Sequence, residues 1–176
     1  MTLATDKTGS LLRRLNEAAQ RHAFQPAFVL LIGKRPLKKG WASLRPTVGE
    51  AIEHLNKDPL RHAIGIQPAS LGSVVLDCDD GDGPQIAKDI VLERYGDVVA
   101  CTTPSTSGKS NRGHVWLRCD DAEQARNWKF RLEKGHQEIK GEMRSTGGQV
   151  RLTAKALPLL IDDLNTAAGK EDEIDL

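Results

Sequence analysis

Val74-Val75-Leu76-Asp77-Cys78-Asp79-Asp80 is an apolar, β-branched run that ends in an acidic cluster, and it organises the rest of the chain around it. A strand delivers carboxylates at its C-terminal end. Side chains alternate faces along a strand, so Asp77 and Asp79 point the same way, about 7 Å apart along the backbone. Two carboxylates at that spacing repel, and a divalent cation between them removes the cost. Upstream, Ala63-Ile64-Gly65-Ile66 is a second β-prone segment, separated from the first by Pro68, Ser70 and Gly72, which predicts a hairpin over 63–79.

Further outward, helices and strands interleave. Leu11, Leu12, Leu15, Ala18 and Ala19 recur at helical spacing and predict an opening amphipathic helix that ends near His22. Residues 27–32 read as a strand broken by Gly33. Thr47 and Glu50 form a capping box ahead of a second helix, and Gly83-Pro84 opens a third that Gly96 terminates. Strands are expected at 98–103, 114–118, 137–143 and 149–152. Asp120 and Glu123 repeat the capping-box spacing before Ala125, Trp128 and Leu132, which predicts a fourth helix there. The interleaving without strict alternation predicts an α+β fold with a mixed, largely antiparallel sheet flanked by helices. One domain over 1–168 is expected, followed by an acidic tail or linker at 169–176.

Composition bounds the function classes. The chain has 176 residues, 39% hydrophobic and 28% charged, with a formal net charge of +1. That balance fits a soluble globular domain and excludes nucleic-acid binding by bulk positive charge. Any such site must be local, and Lys34, Arg35, Lys38 and Lys39 beside Trp41 form one candidate patch for a single-stranded template. Trp41 there is either a base-stacking platform or a core anchor. Three cysteines without a C-x-x-C pair indicate neither a disulfide framework nor a cysteine zinc site, which fits a reducing cytoplasm. No apolar run approaches membrane-spanning length, so no membrane role is expected.

Two further stretches bear chemistry. The polar segment 104–113 holds Ser107, Gly108, Lys109 and Arg112 and leads into His114 at the mouth of a strand. Backbone N–H groups of such a loop cradle phosphate oxygens, and cations and a histidine neutralise them. Ser107-Gly108-Lys109-Ser110 imitates the end of a P-loop. The pattern nevertheless needs a glycine where Thr103 stands, and it must open a helix instead of a strand. The second stretch places Glu138, Lys140, Glu142 and Arg144 on one strand face.

The order Leu76-Asp77-Cys78-Asp79, then Ser107-Gly108 through Arg112-Gly113-His114-Val115-Trp116, then Glu142-Met143-Arg144 ahead of Gly147-Gly148 resembles the archaeo-eukaryotic primase superfamily. With Gly33-Lys34-Arg35-Pro36-Leu37 and Gly40-Trp41 upstream, it is more narrowly similar to the bifunctional primase/polymerase N-terminal domain of phage and plasmid replication proteins, over roughly residues 25–154. The resemblance implies a primase-polymerase core with an RRM-like part. It implies DNA primase and DNA-directed polymerase activity with two divalent metals, Mg2+ or Mn2+, held by Asp77, Asp79 and Glu142. His114 would bind the phosphates of the incoming dNTP or NTP, beside Ser107, Gly108, Lys109, Arg112 and Arg144. Single-stranded DNA template and primer are the implied partners, together with a replicative helicase domain or protein, in the cytoplasm of a bacterial, archaeal or phage-infected cell. The chain departs from the family pattern twice: Glu142 stands where Asp is common, and Arg112 where Ser is. A metal-dependent phosphodiesterase or nuclease, and a nucleic-acid-binding module without catalysis, are the alternative readings of the same residues.

Overall fold

The computed structural model describes residues 3–79, 82–105 and 112–171. Two compact units divide the chain, one formed by 1–67 with 149–176, the other by 68–148.

The first unit holds helices α1 (Leu3–Arg21), α2 (Val48–Lys57) and α4 (Ala156–Glu171) with strands β1 (Phe28–Ile32), β2 (Arg35–Pro36), β3 (His62–Ile66) and β9 (Val150–Leu152). The sheet order is β2-β1-β3-β9. Every pairing is antiparallel, with Leu30 opposite Ile64 and Ile64 opposite Leu152. The opening helix ends one residue before its expected limit. It packs against α4, which buries Leu157, Leu160, Ile161 and Leu164 while α1 buries Leu11, Leu12, Leu15, Ala18 and Ala19. The capping box of α2 forms as expected, Thr47 accepting from the Glu50 N–H and Glu50 accepting from the Thr47 N–H. Behind it His54 donates from Nε2 to the Leu31 carbonyl at 2.9 Å, and His62 donates from Nδ1 to the His54 carbonyl at 2.8 Å. The two imidazoles stack with centroids 4.1 Å apart. Lys34, Arg35, Lys38 and Lys39 are exposed, and Trp41 packs half-buried on Val29, Leu31 and Ala63, the arrangement of a core anchor.

The second unit has five antiparallel strands in the order β5-β6-β4-β8-β7. They are β4 (Ser73–Cys78), β5 (Val99–Pro104), β6 (Gly113–Arg118), β7 (Trp128–Lys134) and β8 (Gln137–Arg144), joined by helix α3 (Gly83–Tyr95). Alternation sends Leu76, Cys78, Val115 and Ile139 to one face, where they bury against Ala87 and Val91 of α3. The opposite face of the same strands carries Asp77, His114, Glu142 and Arg144. The α+β class with largely antiparallel pairing and flanking helices is therefore found, its strands shared between two sheets.

Two local expectations change, and one helix stands where none was expected. The hairpin expected over 63–79 does not form: Pro68–Leu71 make a 3-10 turn, β3 pairs with β1 and β9, and β4 pairs with β6 and β8. Turn composition marks a reversal and says nothing about which strand each side will pair with. The helix expected from Asp120 through Leu132 is a series of turns followed by β7. Trp128 and Leu132 are four apart, a spacing common to both periods, and Phe130 between them decides for the strand by packing with Leu132 on the α3 core. Helix α4, lastly, extends to Glu171, and Ala156 N–H donates to Thr153 Oγ1 at its start.

Candidate active site

Strand β4 is central in its sheet, so Asp77 has a cross-strand neighbour on each side, His114 of β6 and Glu142 of β8. Directly paired residues share a face, which brings the three ionisable side chains together. One position inside the strand lies Gly141, where a side chain would overlap the Asp77 carbonyl oxygen and stand 2.7 Å from Cζ of Phe130. Only glycine lets β8 approach β4 this closely beside the acidic residues.

Ion pairs fill the centre. Arg144 Nη2 lies 2.8 Å from Asp77 Oδ2 and 3.1 Å from Glu142 Oε2, bridging carboxylates on adjacent strands. The side chain of Asp77 is 20% exposed, that of Arg144 28% and that of Glu142 47%. His114 Nε2 stands 3.4 Å from Asp77 Oδ1. Burial pushes the Asp77 carboxyl up, but the hydrogen bond and charge of His114 and then Arg144 outweigh it and hold the group below the ordinary carboxylate range.

A buried chain of donors lies behind His114. Trp116 Nε1 donates to Thr103 Oγ1 at 3.0 Å, and that hydroxyl is 3.5 Å from His114 Nδ1. An ionised Asp77 can only accept, which favours the imidazole proton on Nε2 facing it, and in that tautomer Nδ1 accepts from the Thr103 hydroxyl while the indole N–H donates to the same oxygen. Thr103 and Trp116 were not among the candidate residues of the sequence. Thr103 is the cross-strand partner of His114, and Trp116 shares its face, so alternation was the signal.

Asp79 is exposed, one residue beyond β4. The ladder continues to it, since its N–H donates to the Lys140 carbonyl at 3.2 Å. It is thus on the same face as Asp77, opposite Lys140 instead of a carboxylate. Ser107, Gly108 and Lys109 lie outside the described residues. Arg112 is described, and its carbonyl accepts from the Ser105 N–H at 3.0 Å, closing the hairpin of β5 and β6.

Asn127, also not foreseen, fixes the segment after β8. Its Oδ1 accepts from Ser145 N–H at 2.7 Å, and its Nδ2 donates to the Thr146 carbonyl at 2.8 Å. Ser145 Oγ donates to the Ala122 carbonyl and Thr146 Oγ1 to that of Glu123, tying the 120–124 turns to the same place.

The donor chemistry of Asp77, Asp79 and Glu142 is that of a hard divalent cation, which takes oxygen ligands from carboxylates. Among the described residues no three of His, Cys, Asp or Glu gather into a metal cluster as they stand. The charge between Asp77 and Glu142 is instead supplied by Arg144, so a cation entering there must displace the guanidinium.

Among the described residues no helix is long and apolar enough to cross a membrane. No curated protein matches the chain. Residues 18–160 match the family described as bifunctional DNA primase/polymerase, N-terminal. An acidic strand end flanked by a histidine strand and a carboxylate strand, recurring in the order the family resemblance requires, thus accompanies a match over most of the 176 residues; the chain belongs to the bifunctional DNA primase/polymerase N-terminal family, a family of divalent-metal-dependent nucleotidyltransferases.

Proposed function

We propose that the chain performs template-dependent nucleotidyl transfer in the replication of a phage, plasmid or similar element, with Asp77, Asp79, Glu142 and His114 as its catalytic residues. The observation that carries the reading is the register of β4, which sets Asp77 between His114 and Glu142 on the sheet face opposite the core beneath α3. Asp77, Asp79 and Glu142 would hold two divalent metals, Mg2+ or Mn2+. When bound, these supply activation of the attacking 3′-hydroxyl and charge stabilisation at the leaving pyrophosphate.

The protein's own groups position charge. His114 presents an Nε2 proton, backed by Thr103 and Trp116, to a phosphate oxygen of the incoming nucleotide. Arg144, once released from the carboxylates, has the planar fork that pairs with phosphate oxygens. Ser107, Gly108, Lys109 and Arg112 would line the triphosphate. Residues 1–168 would act as one catalytic domain and 169–176 as its tail. The exposed Lys34, Arg35, Lys38 and Lys39 would contact the single-stranded template, which a helicase protein or domain would unwind.

Primer extension on a single-stranded template, with dNTPs and with NTPs, tests the reading. Wild type should extend the primer in the presence of Mg2+ or Mn2+, and an Asp77→Ala/Asp79→Ala variant should not, while its circular dichroism stays unchanged. Unaltered extension by the double variant refutes the assignment. Strand cleavage without any need for triphosphate would show a phosphodiesterase instead.

A further inference from the structure

One rung of the second unit's sheet crosses every strand: Thr103, His114, Asp77, Glu142 and Lys129 stand side by side from β5 to β7. Directly paired residues share a face, so the rung carries the face of the acidic centre out to Lys129 on the edge strand. The adjoining rung adds two cations to the same wing. Lys140 and Arg131 are cross-strand partners, and the Lys140 carbonyl accepts from the Asp79 N–H at 3.2 Å.

We propose that Lys129, Arg131 and Lys140 form a track for the sugar-phosphate backbone of the primer strand, which delivers its 3′ end to the acidic centre. The inference rests on the nucleotidyl-transfer reading and deepens it by naming the flank of the site that receives the growing strand.

These cations serve no packing role on their own strand. The opposite face of β7 turns Phe130 and Leu132 onto the core beneath α3 and pairs Lys134 with Asp89 of that helix. Lys129 is exposed, and its cross-strand partner Glu142 has its carboxylate 3.1 Å from Arg144. Among the described residues Lys129 itself makes no ion pair. Arg131 and Lys140 both reach Glu138, at 3.3 and 2.7 Å, with side chains 62% and 57% exposed. Pairs that exposed are weakly held, so another anion can replace them. Like charges directly opposite one another destabilise a sheet, and an anion seated between Arg131 and Lys140 relieves the repulsion.

The direction of the reaction selects the strand. In phosphoryl transfer the attacking and leaving oxygens are roughly in line, so the 3′-hydroxyl and the departing pyrophosphate lie on opposite sides of the α-phosphorus. His114, the phosphate contact assigned above, stands on β6 to one side of Asp77, whereas Glu142 and Lys129 stand to the other. A nucleotide held from the β6 side leaves the β8 and β7 side to the strand that attacks. Arg144 lies beyond Glu142 from Lys140 along β8, so the two cations meet different phosphates. Two strand spacings of about 4.8 Å put Lys129 about 10 Å from β4, a span of about three nucleotides at about 3.4 Å each. Cations that near the joined end meet the last phosphates of the primer.

Fluorescence anisotropy of a labelled primer-template duplex, without nucleotide and over a salt series, tests the track in Lys129→Gln/Arg131→Gln. Loss of two phosphate contacts lowers the log-log salt slope by about 1.8, so between about 50 and 200 mM salt the variant should lose about 12-fold less affinity than wild type. It should bind more weakly than wild type at the low-salt end. A charge-conserving variant, Lys129→Arg/Arg131→Lys, should keep the wild-type slope. Methylphosphonate linkages carry no charge and identify the strand: in the last linkages of the primer they should bring wild type to the affinity of the Gln variant and leave that variant unchanged. In steady-state extension the Gln variant should raise the KM for primer-template and keep that for dGTP. A wild-type salt slope in the Gln variant overturns the proposal. Sensitivity to methylphosphonates in the template instead of the primer overturns it too, as does polyglutamate binding that the Gln variant abolishes, which would mark a peptide surface. Extension lost in Asp77→Ala/Asp79→Ala beside a wild-type slope in the Gln variant removes the track alone, whereas extension retained by the carboxylate variant removes the parent reading.

Discussion

Replacing Arg144 by Gln should move two properties in opposite directions. The guanidinium Nη2 sits 2.8 Å from Asp77 and 3.1 Å from Glu142, at side-chain exposures of 28%, 20% and 47%. A pair of unit charges about 4 Å apart is worth about 4 kcal/mol at an effective dielectric near 20. Exposed pairs contribute about 0–1 kcal/mol, and breaking fully buried ones costs about 3–5 kcal/mol. The intermediate burial here sets the expected loss of stability without metal at about 1–3 kcal/mol, read as a lower urea midpoint. Mn2+ affinity should rise meanwhile, because the carboxylates no longer hold a competing cation. Recovery of 1.4–2.8 kcal/mol of that attraction corresponds to about 10–100-fold tighter binding. Electron paramagnetic resonance of free Mn2+ measures the affinity, and urea melts with and without Mn2+ measure the linked stabilisation. Weaker or unchanged Mn2+ binding in Arg144→Gln would refute the displacement argument, whatever happened to stability.

Three other outcomes are expected. Gly141→Ala should destabilise by at least about 1–3 kcal/mol in urea melts, since the added methyl meets the backbone of Asp77 and the ring of Phe130; a wild-type midpoint would show that β8 shifts freely. His114→Ala should raise the apparent KM for nucleotide and lower kcat in steady-state extension, and an effect confined to template affinity would place the imidazole elsewhere. His54 is held below the ordinary histidine value of 6.5, first by burial, with the charges of His62 and Lys57 adding to it against the hydrogen bond to Leu31. The unfolded chain then binds the proton more readily, so the contribution is present above pH 6.5 and lost as pH falls from there through the folded value. Thermal melts between pH 7.5 and 5 should show a fall in Tm that His54→Gln reduces. An identical pH dependence in that variant would acquit His54.

The residues of the candidate site were legible because they follow rules of short range. Alternation along a strand put Asp77 with Asp79 and Glu142 with Arg144, and the polar loop before His114 marked a change of chemistry. Which strands lie side by side is a long-range property, and no local pattern announced that β4 would sit between β6 and β8. The hairpin expected between β3 and β4 failed for that reason. Arg144 shows the same limit: one strand face placed it beside Glu142, but its reach to Asp77 depends on the pairing across strands. Asn127 was hidden by the helical reading of 120–132, in which its amide had no purpose. The α4 helix passed unremarked because its apolar residues only acquire meaning against α1.

The segment 68–148 forms one unit without interruption, while the other unit is built from both ends of the chain. Ile66 and Val150 are paired rungs of one ladder, so the inserted stretch leaves and returns at adjacent points. A ribosome delivers residues in order, at about 5–20 per second. The unit bearing the acidic residues is complete in sequence once Gly148 has emerged, whereas α1, which packs against both α2 and α4, still lacks α4 and with it part of the cover of its apolar face. During that interval the nascent chain carries a finished acidic strand face and a greasy N-terminal helix at once. A stop codon near residue 150 would therefore leave a truncated product that is folded in its middle and aggregation-prone at its start, the reverse of the usual fate of a C-terminal deletion.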